Sequence, residues 1–202
     1  GSKRNAIARE ASAVLAVDGG VDKFKSIADK EVSEISVELG GREKDLKIIV
    51  EKSDSPAKVL DEKSGTTLID LLLALPHGVE AMNYDIEGLV ETSNNLATIK
   101  SEEGKVVIGT STRSSISTAL DALSERIAAV ARLAGADVKI EEPYPGWKPN
   151  LDSEILAVVK KVHEEEFGKE PEMKAIHAGL ECGIIGEKFP GMDMVSIGPW
   201  IE

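Results

Sequence analysis

The reactive side chains of this sequence are most crowded in residues 175–183, which read Ala-Ile-His-Ala-Gly-Leu-Glu-Cys-Gly. His177, Glu181 and the only thiol of the chain, Cys182, stand among residues small enough to leave room for a ligand. The alternation of side chains from Met173 onward predicts a short strand that ends at the histidine, and the glycines that follow allow close backbone approach. The sequence therefore places an imidazole at a strand end, beside a carboxylate and a thiol.

Three kinds of chemistry fit these side chains. The simplest is structural: a tight strand-to-loop turn with a buried thiol and a histidine bonded to the backbone. A zinc site is the second, but a closed site needs about four ligands, and no Cys-x-x-Cys or His-Glu-x-x-His spacing supplies the others. The third is a nucleophilic Cys182, for which nothing local marks His177 as the base. A self-contained metal site is therefore not expected.

Composition limits the class of protein. The chain has 202 residues, is 42% apolar and carries a net charge of −12, so it can bury a core but lacks the clustered Lys and Arg that nucleic-acid binding needs. One cysteine excludes an internal disulfide, and there is no signal peptide or long apolar run. We therefore predict a cytoplasmic protein without membrane contact. Gly1-Ser2 in place of an initiator Met indicates an expression scar, or at least a start inside a larger protein.

Hydrophobic periodicity predicts the elements that position the reactive residues. Helices are expected at residues 21–39, 66–75, 115–134 and 153–167. A hairpin is expected from two β-rich stretches, residues 89–99 and 105–112. Alternating patterns predict further strands at residues 11–17, 46–50, 137–141 and 194–197, with a loop up to residue 87. In the last helix, the residues expected to face inward are Ile155, Val158, Val159, Val162 and Phe167.

The order of these elements predicts an α+β fold. Two stretches share the order strand or hairpin, helix, strand, which is typical of split-βαβ (ferredoxin-like) lobes. The lobes cover residues 1–62, where the opening strand and helix are missing, and residues 63–147, which end within a stiff proline-rich linker at residues 143–149. Residues 148–202 form a helix-strand-strand piece typical of a larger α/β sheet. We therefore expect the chain to begin inside a domain.

Several motifs, in order along the chain, carry a family resemblance. They are residues 3–10 (Lys-Arg-Asn-Ala-Ile-Ala-Arg-Glu), 88–95 (Gly-Leu-Val-Glu-Thr-Ser-Asn-Asn), 113–115 (Arg-Ser-Ser), 144–147 (Tyr-Pro-Gly-Trp), 177–183 (His-Ala-Gly-Leu-Glu-Cys-Gly) and 189–199 (Phe-Pro-Gly-Met-Asp-Met-Val-Ser-Ile-Gly-Pro). Together they resemble the aminoacyl-histidine dipeptidases, the peptidase D or carnosinase-like branch of the di-zinc aminopeptidase and carboxypeptidase superfamily. The resemblance implies that residues 1–147 belong to a lid or dimerisation domain and residues 148–202 to part of a zinc-peptidase catalytic domain.

The resemblance also implies an activity for the parent protein. In this family two zinc ions activate a water beside a glutamate base, and Xaa-His dipeptides are hydrolysed. The metal-binding motifs of the family, His-x-Asp, Glu-Glu and a His-Ser-Pro-like run, are absent from this sequence. We therefore expect no catalytic residue, no metal ligand and no bound zinc in this chain, which should be inactive alone. His77 and His163 are expected to be solvated surface residues, and a second copy is a possible partner of the lid domain.

Four residues are predicted to bind the dipeptide: Asn95, Arg113, His177 and Glu181. The resemblance implies the first two near the lid hairpin and the last two in a wall near the substrate loop, where Glu181 either touches substrate or only braces the loop. Folding the hairpin places Asn95 opposite roughly residue 110, with Arg113 about 10 Å along the same ribbon. A guanidinium suits a peptide carboxylate because its planar fork binds both oxygens. Without the family, Asn95 would be a strand-end residue bonded to its own backbone and Arg113 a surface cation.

Two other functions fit the same residues. One is a non-catalytic α+β module that dimerises or binds a small ligand through exposed sheet edges. The other is a related di-zinc tripeptidase that uses the same architecture. In each case Trp147 is expected to be a packing anchor where the lid meets the next domain.

Overall fold

The structure is a computed structural model that describes residues 1–54, 56, 58–142, 146–147, 150, 152–173 and 181–198. The chain forms two compact units, one of Ala11–Gly65 and one of Gly1–Glu10 with Thr66–Glu202. Helices accompany a small antiparallel sheet, which confirms the mixed α+β class. None of the described helices is long and apolar enough to cross a membrane.

The unit Ala11–Gly65 is built on helix α1 (Gly20–Leu39), which confirms the predicted helix and continues into a 3-10 turn at Gly40–Arg42. Gly19 before the helix has a φ of 91° and Gly40 after it a φ of 59°, conformations that glycine adopts without strain. Ala28 is the one buried residue among those described in this unit. Most of its apolar surface is therefore exposed.

The strands predicted at residues 11–17 and 46–50 are wrong, because the backbone there is irregular. Alternating apolar residues suit a half-buried strand, but a strand forms only where a neighbouring backbone pairs with it. The described part of this unit contains no such partner, and Leu15 and Ile49 remain 56% and 67% exposed. Residues 137–141 and 194–197 are likewise irregular, so the split-βαβ form is not confirmed.

The other unit is organised around a three-stranded antiparallel sheet in the order β1-β2-β3. Strand β1 spans Gly78–Met82, β2 spans Val90–Glu102 and β3 spans Lys105–Ser114. The β2–β3 hairpin confirms the prediction, and Gly104, with a φ of 75°, allows its two-residue turn. Strand β1 was predicted as loop, because its five residues pair with β2 through two register shifts and show no clean alternation.

Helices α2 (Glu62–Ala74), α3 (Ser117–Leu133) and α4 (Glu154–Phe167) confirm three predictions, although α2 begins earlier than expected. Asp61 explains that start, since its Oδ1 accepts the N–H of Ser64 at 2.8 Å as a helix cap. Helix α5 (Glu181–Lys188) was not predicted, because glycines disfavour a helix and two lie within it.

The hydrophobic core lies around the sheet, where α3 packs against β3. Its buried apolar residues are Leu71 within α2, Leu75 just after it, Ala97 of β2, and Leu120, Leu123 and Ala128 of α3. An ion pair between Arg126 and Glu80 also joins α3 to β1. These contacts fix the hairpin that carries two of the predicted site residues.

The inward face predicted for α4 is mostly wrong. Val158 and Phe167 are 60% and 69% exposed, Ile155 and Val162 are also exposed, and only Val159 of the predicted set is half-buried. Helical spacing shows which residues share a face, but it does not show whether another element packs on that face.

Candidate functional site

The β2–β3 hairpin brings Asn95 and Arg113 to one face. Asn95 pairs with Ser111 and Arg113 with Ser93, so the two predicted site residues are diagonal neighbours about 7–8 Å apart. The predicted partner of Asn95, residue 110, was wrong by one position. That position matters, because side chains alternate along a strand and the predicted pairing would have turned Arg113 to the opposite face.

We call this surface the Arg113 face and define it by three cross-strand pairs: Glu91 with Ser115, Ser93 with Arg113, and Asn95 with Ser111. The first pair extends the ladder, since the Ser115 N–H donates to the Glu91 carbonyl at 3.2 Å. All six side chains are polar, and all six residues are buried or half-buried. Glu91 was not among the predicted site residues, although a spacing of two residues from Ser93 and four from Asn95 puts all three on one face of a strand.

A buried hydrogen-bond network on the opposite face holds the hairpin in register. Asn94, only 2% exposed, donates from Nδ2 to the Pro76 carbonyl at 2.6 Å and accepts from Thr112 Oγ1 at 2.9 Å. The hydroxyl oxygens of Thr92 and Ser114 lie 2.8 Å apart. Because unpairing buried polar groups costs about 1–3 kcal/mol each, the network resists a slip between the strands. It therefore also fixes which way the side chains of the Arg113 face point.

Asn95 is partly occupied by the chain itself. Its Nδ2 donates to the carbonyl oxygens of Arg4 at 3.2 Å and Ala6 at 2.9 Å, so this segment lies against the hairpin. Arg4 also pairs with Glu141 at 2.5 Å, and the hydrogen bond and positive charge of Arg4 lower the pKa of the Glu141 carboxyl. The Asn95 Oδ1 atom is buried and has no hydrogen-bond partner among the described residues. Asn95 thus holds the N-terminal segment and keeps one acceptor unused.

His77 and His163 make structural contacts that the sequence did not indicate. His77 is exposed, as expected, but its Nδ1 accepts the Leu96 N–H at 3.0 Å, beside the register shift between Leu96 and Thr98. His163 is half-buried, its Nδ1 lies 3.0 Å from the Lys169 carbonyl, and its ring packs on Phe167. Neither is simply a solvated residue, because each ring satisfies a backbone group that lacks a partner in regular secondary structure.

A cleft of about 640 Å³ is lined by residues that follow Arg113 in the sequence, the first of which is Ser117. Its wall includes Ser117 and Asp121 of α3, Trp147, and Cys182, Gly183 and Glu187 of α5. Trp147, predicted as a packing anchor, is half-buried in this wall. The neighbouring Gly146 lies so close to the β3–α3 connection that a Cβ atom there would be 2.6 Å from the Ser114 carbonyl oxygen. Only glycine fits this contact.

Glu181, another predicted site residue, is exposed in the first turn of α5, where a carboxylate stabilises a helix. His177 and most of the strand predicted before it lie outside the described residues. Cys182 is buried, as a small core residue would be. In the described ranges, no three His, Cys, Asp or Glu side chains lie close enough together to hold a metal ion. The donors described here therefore do not fit a zinc site.

Asp193, from the last of the family-like motifs, caps α4. Its Oδ2 accepts the Ile155 N–H at 3.0 Å, while Ser153 Oγ accepts the Leu156 N–H at 3.1 Å. The hydrogen bond from Ile155, with a further one from Ser153, lowers the pKa of the Asp193 carboxyl. The carboxylate therefore joins a distant loop to the start of the helix.

We expect Asp193→Asn to lower the melting temperature at neutral pH but not at strongly acidic pH. A lowered folded-state pKa stabilises the fold above the unfolded pKa of about 4, and this contribution is lost as pH falls through the folded value. Melting curves by circular dichroism at pH 7 and pH 3 would measure the difference. Asp152→Asn, the same change of charge just before α4, is the control, and a pH-independent loss in Asp193→Asn would contradict the capping role.

Known proteins resemble this chain over most or all of its length. No family model matches it. Over 202 residues it is 37% identical to the cytosol non-specific dipeptidase of Escherichia coli (strain K12), covering all of this chain and 42% of that protein. The crystal structure of aminoacylhistidine dipeptidase from Vibrio alginolyticus matches with a TM-score of 0.81 and 39% identity, over 88% of this chain and 36% of that one. The chain therefore spans less than half the length of each relative.

Proposed function

Because the chain belongs to the family of these dipeptidases, we propose that the full-length protein is a zinc-dependent dipeptidase that cleaves Xaa-His substrates. The resemblance found in the motifs is confirmed by both relatives, each of which is a dipeptidase by name. The word aminoacylhistidine in one of the two names supports histidine as the second residue of the substrate. The other relative is described as non-specific, so substrate range needs its own measurement.

The Arg113 face is the observation that carries this proposal. Its guanidinium can bind the terminal carboxylate of a dipeptide through two parallel N–H donors. Asn95, on the same face, has a buried Oδ1 without a partner among the described side chains, and this atom can accept an N–H of the peptide. These two groups orient a substrate and do not attack it. We also assign His177 and Glu181 to the wall of the substrate pocket, which the exposure of Glu181 supports.

We assign the zinc ligands of the full-length protein to residues outside this segment, because the donors described here do not fit a metal site. Residues 1–147 are proposed as the lid and dimerisation domain, with split-βαβ lobes, and residues 148–202 as part of the catalytic domain. Apolar side chains such as Ile49 and Val158 are exposed in this chain. Their exposure supports the proposal that another surface of the full-length protein, or of its dimer, covers them. A cytosolic location is proposed from the name of one relative.

Dipeptidase assays and metal analysis, done in parallel on this chain and on the full-length protein, test the proposal. The full-length protein should hydrolyse Xaa-His dipeptides and hold zinc, whereas this chain should do neither. Zinc retained at a stoichiometric level by this chain would overturn the assignment of the ligands. Faster turnover of tripeptides than of dipeptides would favour a tripeptidase instead.

A non-catalytic interaction module is the second candidate, and the exposed apolar residues of Ala11–Gly65 favour it. Leu15 and Ile49 are more than half exposed in segments without a paired neighbour in the described structure. Such segments suit binding through added strands. A full-length protein that turns over no peptide but forms a stable dimer would support this alternative.

A further inference from the structure

Glu91 is a buried residue of the Arg113 face whose side chain has no described partner. It is the second residue of β2 and only 8% exposed. Within the part of the chain that the structure describes, no hydrogen bond or ion pair reaches its side chain. Buried carboxylates in proteins are almost always paired, because an unpaired buried charge is costly. The carboxylate oxygens of Glu91 are not among the fully buried side-chain atoms that lack a partner, so they remain accessible to water or to a ligand.

The position of Glu91 places this unused carboxylate at the proposed substrate pocket. It lies two residues before Ser93, the partner of Arg113, so Glu91 and Arg113 are diagonal neighbours about 7–8 Å apart on one face. The two side chains form no ion pair with each other. Asn95 occupies the equivalent diagonal on the other side, so a carboxylate and an amide flank the guanidinium.

Two further polar groups on the Arg113 face are also unused. Ser115 Oγ, in the residue opposite Glu91, and Asn95 Oδ1 are buried, and neither has a hydrogen-bond partner among the described residues. Most buried polar atoms in proteins are paired, so an exception calls for an explanation such as a ligand. Here two such exceptions and the carboxylate of Glu91 surround one arginine, which points to a polar ligand on this face.

We propose that Glu91 is a specificity-determining residue that accepts a hydrogen bond from the side chain of the C-terminal residue of a bound dipeptide. This inference rests on the proposed function, in which Arg113 binds the terminal carboxylate. That carboxylate and the C-terminal side chain are attached to the same carbon, so the side chain lies within reach of a neighbour of Arg113. An ionised carboxylate accepts hydrogen bonds and donates none, so Glu91 favours an imidazole or an ammonium group over an apolar or acidic side chain.

Glu91→Gln in the full-length protein tests the inference. The ratio of kcat/KM for glycyl-histidine to kcat/KM for glycyl-leucine should fall roughly 10-fold, because a site built to bond a substrate group discriminates against a substrate without it. Glu103→Gln is the matched control: it makes the same chemical change in the exposed hairpin turn and should leave the ratio unchanged.

The outcomes separate the two levels of the proposal. If wild-type protein turns over no dipeptide, the proposed function fails. If wild type is active and Glu91→Gln lowers kcat/KM equally for both dipeptides, or for neither, Glu91 is structural and the inference is overturned. Should Glu91→Gln not melt cooperatively, Glu91→Asp decides the question, since it keeps the charge but shortens the side chain. A fall in its substrate ratio supports the inference, and a ratio equal to that of wild type overturns it.

Discussion

Arg113→Ala in the full-length protein should lower kcat/KM for a dipeptide roughly 100-fold, because hydrogen bonds between charged groups contribute about 1.5–3 kcal/mol. The reason is the loss of the group that we assign to the substrate carboxylate, on a face otherwise made of Glu, Asn and Ser. Zinc content should stay the same, since no described residue on this face belongs to a metal cluster. Steady-state kinetics and metal analysis on the same preparation give both values.

Two further variants make the Arg113 experiment specific. Arg113→Lys keeps the charge but loses the planar fork, so its kcat/KM should fall between those of wild type and the alanine variant. Arg132→Ala removes an arginine of α3 that is 54% exposed and paired with Glu125 at 2.5 Å. It should change kcat/KM by less than about twofold, as expected of a surface ion pair. Wild-type kinetics in Arg113→Ala would remove Arg113 from the site.

Gly146→Ala should lower the free energy of unfolding by about 2–3 kcal/mol, the upper part of the range for an overpacked contact. The added Cβ atom would lie 2.6 Å from the Ser114 carbonyl oxygen and 3.0 Å from the Ser115 carbonyl carbon. Both are backbone atoms at the end of β3, so neither can rotate away as a side chain would. Urea denaturation of this chain, compared at equal m-value, measures the loss.

Gly65→Ala is the control for Gly146→Ala. Gly65 lies inside α2, and a Cβ atom there meets nothing within 4 Å. Alanine should stabilise this helix by roughly 0.5–1 kcal/mol. If Gly146→Ala is as stable as wild type while Gly65→Ala behaves as expected, the close approach at Gly146 does not constrain the fold.

The sequence predicted correctly those elements that are marked by their own residues, such as an apolar stripe or a turn glycine. Helix α3 has a long apolar stripe and a glycine after its end, and the hairpin has Gly104 in a short turn, so both were found close to their observed bounds. Strands that depend on distant partners were not predictable in this way. Residues 11–17 alternate but are unpaired, whereas β1 is paired but does not alternate. Pairing is decided by neighbours in space, which a local pattern does not contain.

For the candidate site, too, the sequence predicted local features but not the contacts between distant residues. Asn95 and Arg113 came from motif resemblance, and the hairpin geometry placed them together with an error of one residue. The bond from Asn95 to Arg4 and Ala6 joins residues about ninety positions apart, so no spacing in the sequence indicates it. Glu91 was recognised only as part of a motif, because burial without a partner is a property of the folded chain.

The register shift in β2 makes the orientation of the site residues depend on one extra residue in the strand. From the turn, Thr98 pairs with Gly109, but Leu96 pairs with Thr110, so Ala97 is an extra residue in its strand. Deleting Ala97 would rotate everything before it by half a turn, sending Asn94 outward and Asn95 into the core, while Arg113 lost both of its flanking side chains. The length of this hairpin therefore matters more to the site than any one of its side chains: a point substitution alters one contact, whereas deleting one residue would exchange two surfaces.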